Sequence, residues 1–327
     1  MNAADLPQPA DPAPPPAAVA PAIAALGPAV LTEQLAKHYG KTVALADLSM
    51  SVQRGETFGF LGPNGAGKTT AVKLLLGLTA PTSGSGSLLG EPLGTRGVRR
   101  RVGYLPELFR YQPWLRAREV LDLHCDLIGM PRDLRHREVK AALETVGLVD
   151  RAESTVGTFS KGMQQRLGLG VAHLGKPALV ILDEPTSALD PVGRLDVRQI
   201  IHNLHAAGTT VFLNSHLLGE VELVCDRVAI VDHGRVISAG SLRELLEQRS
   251  VRVDVTGLGD ADIASLGRFG RLRAEGSSII LTGIDETTVP ELVAEVVRLG
   301  GQVHAVVPGH ASLEERFIGL LRPEAPR

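Results

Sequence analysis

Short apolar runs separated by amphipathic stretches set the rhythm of this chain. Phe58-Gly59-Phe60-Leu61 is compact and apolar, and it runs directly into a glycine-rich segment. Ala178 to Leu182, opened by Pro177, and Val211-Phe212-Leu213, behind Thr209-Thr210, are continuous apolar runs of strand length. Such runs mark strands buried on both faces. Val228 to Asp232 and Arg235-Val236-Ile237 read as a hairpin about His233-Gly234. Helical spacing fills the intervals: Thr69 to Leu76 with a stop at Gly77, a long stretch from about Val120 to Leu174, and Val192 to Ala206 before Gly208. Strands alternating with helices predict an α/β sheet that is largely parallel.

The flanks differ from this centre. Residues 1–28 read as a disordered Pro/Ala-rich tail. Ordered sequence begins near Leu31, where the polar turn His38-Tyr39-Gly40-Lys41 separates two strand-like stretches and makes the N-terminal part β-rich. Past about Arg249, Val251 to Val255 alternates cleanly, as does part of Val303 to Val307, with a helix from Val289 to Leu299 between them. These changes predict a main domain over 29–248 and a small α+β accessory domain over 249–327. No internal repeat is visible.

Composition narrows the picture. The chain has 327 residues, 44% apolar, enough for more than one domain. A net charge of −2 gives no global field for nucleic acid, and 3% aromatic residues leave no stacking platform for single strands. Cys125 and Cys225 stand far apart outside any C-x-x-C, which fits a reduced compartment and neither a disulfide framework nor a zinc site. No apolar run approaches the roughly 20 residues that span a bilayer. Prolines and Asp5 and Asp11 near the start argue against a signal peptide. A role at a membrane therefore needs another chain to supply the spans.

Chemistry concentrates in a few segments. Gly62-Pro63-Asn64-Gly65-Ala66-Gly67-Lys68-Thr69-Thr70 fits the phosphate-binding loop, between a strand and a helix as that motif requires. Its glycines let backbone N–H groups converge on phosphate oxygens, and the helix adds its positive end. Lys68 is expected at the β/γ phosphates and Thr69 on Mg²⁺. Asp183 and Glu184 close a buried strand, where a carboxylate at the carboxyl edge of a parallel sheet faces the ligand crevice. Phe159-Ser160-Lys161-Gly162-Met163-Gln164-Gln165-Arg166 precedes that strand. By itself Ser160 is an ordinary helix cap, and His216 by itself is a surface histidine.

Taken in order, these segments resemble the nucleotide-binding subunit of the ABC transporter family over about residues 30–240. The resemblance implies an α/β fold: a P-loop NTPase sheet core with a β-rich N-terminal part and a helical subdomain inserted at about 107–170. It implies ATP and Mg²⁺ as cofactors, with Thr69, Asp183 and Glu107 toward the metal. Glu184 becomes the general base, and His216 a γ-phosphate contact that positions water. Tyr39 takes the place of an aromatic stacked on adenine. Ser160 and Gly162 are expected to bind ATP held by a second ATPase subunit, with Asp190 at the seam, in a homodimer or a heterodimer. Two departures stand out: Lys161 replaces the middle glycine of Ser-Gly-Gly, and Glu107 replaces a glutamine after Tyr104-Leu105-Pro106. Glutamate cannot donate the amide hydrogen bond but still faces a metal.

The family reading further implies a separate membrane permease as partner, no nucleic acid, and a cytoplasmic place at the inner face of the membrane. Ala311-Ser312-Leu313-Glu314-Glu315-Arg316-Phe317 is similar to the tails of ATPase subunits of bacterial exporters. Phe109, Tyr111, Pro113 and Trp114 either line a permease groove or belong to the core of the helical insert. Arg96, Arg99, Arg100, Arg101, Arg110, Arg116 and Arg118 read as a solvated face, interspersed with Glu107 and Glu119. A soluble ATPase of the same type acting on DNA or ribosomes is the competing reading. The single cassette without a sustained heptad run counts against it.

Overall fold

The computed structural model describes residues 27–187, 189–246, 249–310 and 313–321. Apart from Gly27 and Pro28, the expected N-terminal tail lies outside the described residues, as do Ala311 and Ser312.

Ten strands form one large sheet of two characters. β1 (Val30–Tyr39), β2 (Thr42–Val52), β4 (Ser83–Leu88) and β5 (Glu91–Pro92) pair antiparallel. β3 (Thr57–Leu61), β6 (Val102–Leu105), β7 (Leu179–Asp183), β8 (Thr210–Ser215) and β9 (Arg227–Asp232) form the parallel part in the order β9-β3-β8-β7-β6. β10 (Arg235–Ser241) is antiparallel to β9 and joins the halves through Arg235 opposite Asp47. All five residues of β3 and of β7 are buried, as continuous apolar runs require.

Alternation across the pleat divides the core in two. On one face Leu179, Ile181 and Phe212 pack with Phe58, Phe60 and the helix α1 (Lys68–Leu75). The Phe212 ring lies 5.3 Å from Phe60 and 6.0 Å from Phe58. On the other face Val180, Leu182, Val211 and Leu213 meet the helical side of the molecule. That side comprises α2 (Ala117–Leu127), α3 (Arg132–Thr145), α4 (Lys161–His173), α5 (Pro191–Ala206), α6 (Leu218–Val224) and α7 (Leu242–Leu246). α5 buries Val197, Ile200, Ile201 and Leu204, one stripe at helical spacing. The expected helical stretch from Val120 to Leu174 is three helices.

The C-terminal part builds its own sheet. β11 (Arg249–Thr256), α8 (Asp260–Ser265), β12 (Arg271–Glu275), β13 (Ser278–Thr282), α9 (Val289–Arg298) and β14 (Gln302–His310) give a β-α-β-β-α-β succession. The strands are antiparallel in the order β12-β13-β11-β14, the split-βαβ arrangement. Val251, Val253, Val255, Ile279 and Leu281 pack under Leu292 and Val296 of α9. Sequence reading anticipated β11, α9 and β14 but not the β12–β13 hairpin. A final helix, α10 (Leu313–Leu321), leaves this unit and packs against α6 and α7. Leu313 is fully buried with the main core, and its N–H donates to Glu222 Oε2 at 3.3 Å.

Candidate nucleotide-binding site

The loop from Gly62 to Thr69 links the buried end of β3 to α1. Its glycines answer two steric demands. A Cβ on Gly62 would stand 2.3 Å from the Val231 carbonyl oxygen. Gly67 has φ +100°, and a Cβ there would stand 2.4 Å from the Ala44 oxygen. α1 starts without a side-chain cap, so its first N–H groups are available to an anion. Lys68 is buried, and its Nζ donates to the Gly62 carbonyl at 2.5 Å. Burial lowers the Lys68 pKa, while Glu184, Asp183 and Glu107 oppose that shift.

Parallel register brings the acidic residues to the same edge. Asp183 on β7 stands opposite Asn214 on β8, and Asn214 Nδ2 donates to Asp183 Oδ1 at 2.5 Å. Burial raises the Asp183 pKa, and Glu107 and Glu184 add to the rise; the Asn214 hydrogen bond and Lys68 work against it. Glu184 leaves the strand with φ +51°, in the left-handed region that non-glycine residues seldom adopt. Its N–H donates to the Asn214 carbonyl at 2.8 Å. Its buried carboxylate meets His216 Nδ1 at 2.8 Å through Oε2. A left-handed residue held at such a site is strain that the surrounding structure must enforce. Tyr104 on β6 has its pKa pushed up to about 12 by burial and by Asp183 and Glu107, so it stays neutral.

These groups line one cavity of about 410 Å³: Pro63, Asn64, Gly65, Gly67, Lys68, Thr69, Thr70, Glu107, Asp183, Glu184, Asn214 and His216, with Thr42, Val43 and Ala44 at one side. Gly62 and Ala66 belong to the loop but lie behind it. The Thr69 hydroxyl and the Glu107 and Asp183 carboxylates are hard oxygen donors suited to Mg²⁺. No group of three or more His, Cys, Asp or Glu among the described residues is arranged to hold a metal alone. That donor set suits a Mg²⁺ held largely by substrate phosphates.

Ser160, Gly162 and Asp190 lie elsewhere. They line a second cavity, of about 400 Å³, with Lys161, Met163, Arg166, Leu189, Val192, Gly193 and Asp196. Ser160 caps α4, its Oγ accepting from Met163 N–H at 3.2 Å. Asp190 caps α5, its Oδ1 accepting from Gly193 N–H at 2.8 Å. Two helix N-termini therefore open into one hollow that shares no lining residue with the first.

Tyr39 does not line the first cavity. It ends β1 paired with the cavity residue Thr42, half exposed, with Lys37 Nζ 5.0 Å from its ring centroid. The aromatic cluster near the helical insert divides. Phe109 and Tyr111 meet with ring centroids 5.3 Å apart at a tilt of 49° and pack on the core, whereas Trp114 is 70% exposed. Asn214 is a site residue to which the sequence reading gives no role, although it stands two positions before His216.

This geometry defines an ATP-binding cassette, and the chain belongs to the ABC transporter ATP-binding family. Residues 45–187 match the ABC transporter family. An ABC transporter ATP-binding protein of Nostoc sp. is 40% identical over 304 residues, covering 90% of each chain. The Nod factor export ATP-binding protein I of Burkholderia lata is 39% identical over 232 residues, 70% of this chain and 76% of that one. A solved ATP-binding subunit of an ABC transporter superposes with TM-score 0.60 at 32% identity, covering 66% of this chain and 91% of that one. ATP hydrolysis is the general activity of this family. Among the described residues no helix is long and apolar enough to cross a membrane.

Proposed function

We propose that the chain is the ATP-hydrolysing subunit of an exporter, driving a separate membrane permease from the inner face of the membrane. The observation that carries this reading is the convergence of Lys68, Asp183, Glu184 and His216 on one cavity. The phosphate loop and the start of α1 bind the phosphates, and Lys68 exchanges its loop carbonyl for a phosphate oxygen. Thr69, Asp183 and Glu107 would hold Mg²⁺, which when bound neutralises charge between the β- and γ-phosphates. Glu184 is the general base for water attacking in line on the γ-phosphate. His216, hydrogen-bonded to Glu184, orients that carboxylate and reaches the γ-phosphate.

Ser160, Gly162 and Asp190 lie in a different hollow. A second subunit arranged head to tail brings one chain's second cavity over the other chain's first, with Asp190 at the seam. Tyr39, paired with the cavity residue Thr42, then stacks on adenine. ATP thus favours a closed dimer, and hydrolysis releases it.

Support for a permease partner comes from the surface of the helical insert. Leu108 is 88% exposed, Trp114 70% and Leu127 72%. Large apolar side chains left this exposed on one subdomain are the candidates for such an interface. Export is supported by the Nod factor export relative. Tagged protein recovered from detergent-solubilised membranes is expected to carry a multi-spanning chain in near-stoichiometric yield, identified by mass spectrometry. Trp114→Ala is expected to lose that chain while keeping its ATPase rate. Recovery with ribosomes or DNA instead would overturn the transport reading.

A further inference from the structure

Asn214 has no role in the mechanism above, yet it holds the Asp183 carboxylate and the main chain of Glu184. It sits on β8 between β3 and β7, is 2% exposed, and lines the first cavity. Its side-chain N–H fixes Asp183 Oδ1 at 2.5 Å, and its main-chain carbonyl accepts from Glu184 N–H at 2.8 Å. The amide orientation follows from chemistry. Turned over, it would set oxygen against carboxylate oxygen. The remaining atom, Asn214 Oδ1, is buried without a hydrogen-bond partner among the described residues. Buried polar atoms are nearly always paired, so an orphan acceptor on a residue that lines a binding cavity points to a donor that arrives with the ligand. Asp183, the carboxylate it holds, is a proposed metal-side oxygen.

We propose that Asn214 is a positioning residue for the divalent cation of this site. Its Nδ2 ties down one oxygen of Asp183 so that the other is presented to the cation, and its Oδ1 accepts from a cation-bound water. Partners of this kind orient metal ligands, and their loss weakens metal affinity by about 10–100-fold. The inference rests on the nucleotide-site reading given under Proposed function.

The test uses Mn²⁺ as a paramagnetic stand-in and a non-hydrolysable ATP analogue. Electron paramagnetic resonance titration of the full chain measures Mn²⁺ affinity in the analogue complex, and a parallel titration in EDTA measures analogue affinity without metal. Asn214→Ala and Asn214→Ser are both expected to weaken Mn²⁺ binding by about 10–100-fold and to leave analogue affinity in EDTA unchanged. Wild-type Mn²⁺ affinity in either variant that still binds the analogue in EDTA would overturn the proposal. Loss of metal-free binding in both variants would overturn it too, because Asn214 would then support the loop or the fold. A wild-type protein that gains no analogue affinity from Mn²⁺ would instead refute the nucleotide-site reading itself.

Discussion

The molecule's two cavities are close in volume, about 410 and 400 Å³, and opposite in content. The first holds a buried lysine, two strand-end carboxylates and a histidine. The second holds two capped helix starts, an exposed lysine and a pair of ionic side chains, Arg166 and Asp196, 3.6 Å apart. In the first, Glu184 and His216 are in hydrogen-bond contact. In the second, the Ser160 and Asp190 side chains are occupied with capping. On the proposed reading one hollow serves chemistry and the other recognition. That division is what a site shared between two subunits requires.

The comparison is sharpened most by Glu184→Gln. Steady-state phosphate release is expected to fall by about 10²–10⁴-fold, the usual worth of a positioned base. A rate near wild type would break the assignment of chemistry to the first cavity. Next comes Ser160→Ala, which removes a hydroxyl from the second. Nucleotide binding by the monomer is expected to persist. ATP-driven dimerisation weakens by about tenfold or more, since a hydrogen bond to a charged group contributes about 1.5–3 kcal/mol. Isothermal titration and sedimentation separate the two effects.

Glu107→Gln has a smaller expected effect. It restores an amide at the metal side of the first cavity, and hydrolysis is expected to stay within about tenfold of wild type. A loss beyond about a hundredfold would reveal a chemical role for this carboxylate. The smallest effect is on stability. The folded pKa of Asp183 is raised, so its contribution is fully present below the ordinary carboxylate value and is lost as pH rises through the folded value. Asp183→Asn is therefore expected to raise the Tm of the nucleotide-free protein at neutral pH. The gain should shrink as pH falls toward about 4. A gain that grew on acidification would contradict the sign of the shift.

The parts of the fold that were legible in the chain are those where one physical demand dominates. β3, β7 and β8 are buried on both faces and so read as unbroken apolar runs. The phosphate loop is written in glycines because Gly62 and Gly67 face backbone oxygens at distances no Cβ tolerates. The β12–β13 hairpin was missed because β12, Arg271-Leu272-Arg273-Ala274-Glu275, is short, exposes nearly all of its residues and offers only Leu272 and Ala274 to its alternation. Its signal was local: Glu275 pairs with Ser278, which leaves Gly276 and Ser277 as a two-residue loop with Gly276 at φ +61°. Asn214 drew no role of its own from the sequence because its importance lies in register. Only pairing of β7 with β8 sets it opposite Asp183, and strand order is not written in either segment. Trp114 and Phe109 show the same limit. Five positions apart, one is exposed and the other packs on the core.

The central claim is that the two cavities of one chain serve two different nucleotides across a dimer. Sedimentation velocity of the Glu184→Gln protein, with and without MgATP, tests it most directly. The account predicts a species of twice the 34.6 kDa chain with MgATP and a single chain with ADP or no nucleotide. A single chain at saturating MgATP would contradict it, and the second cavity would then need another explanation.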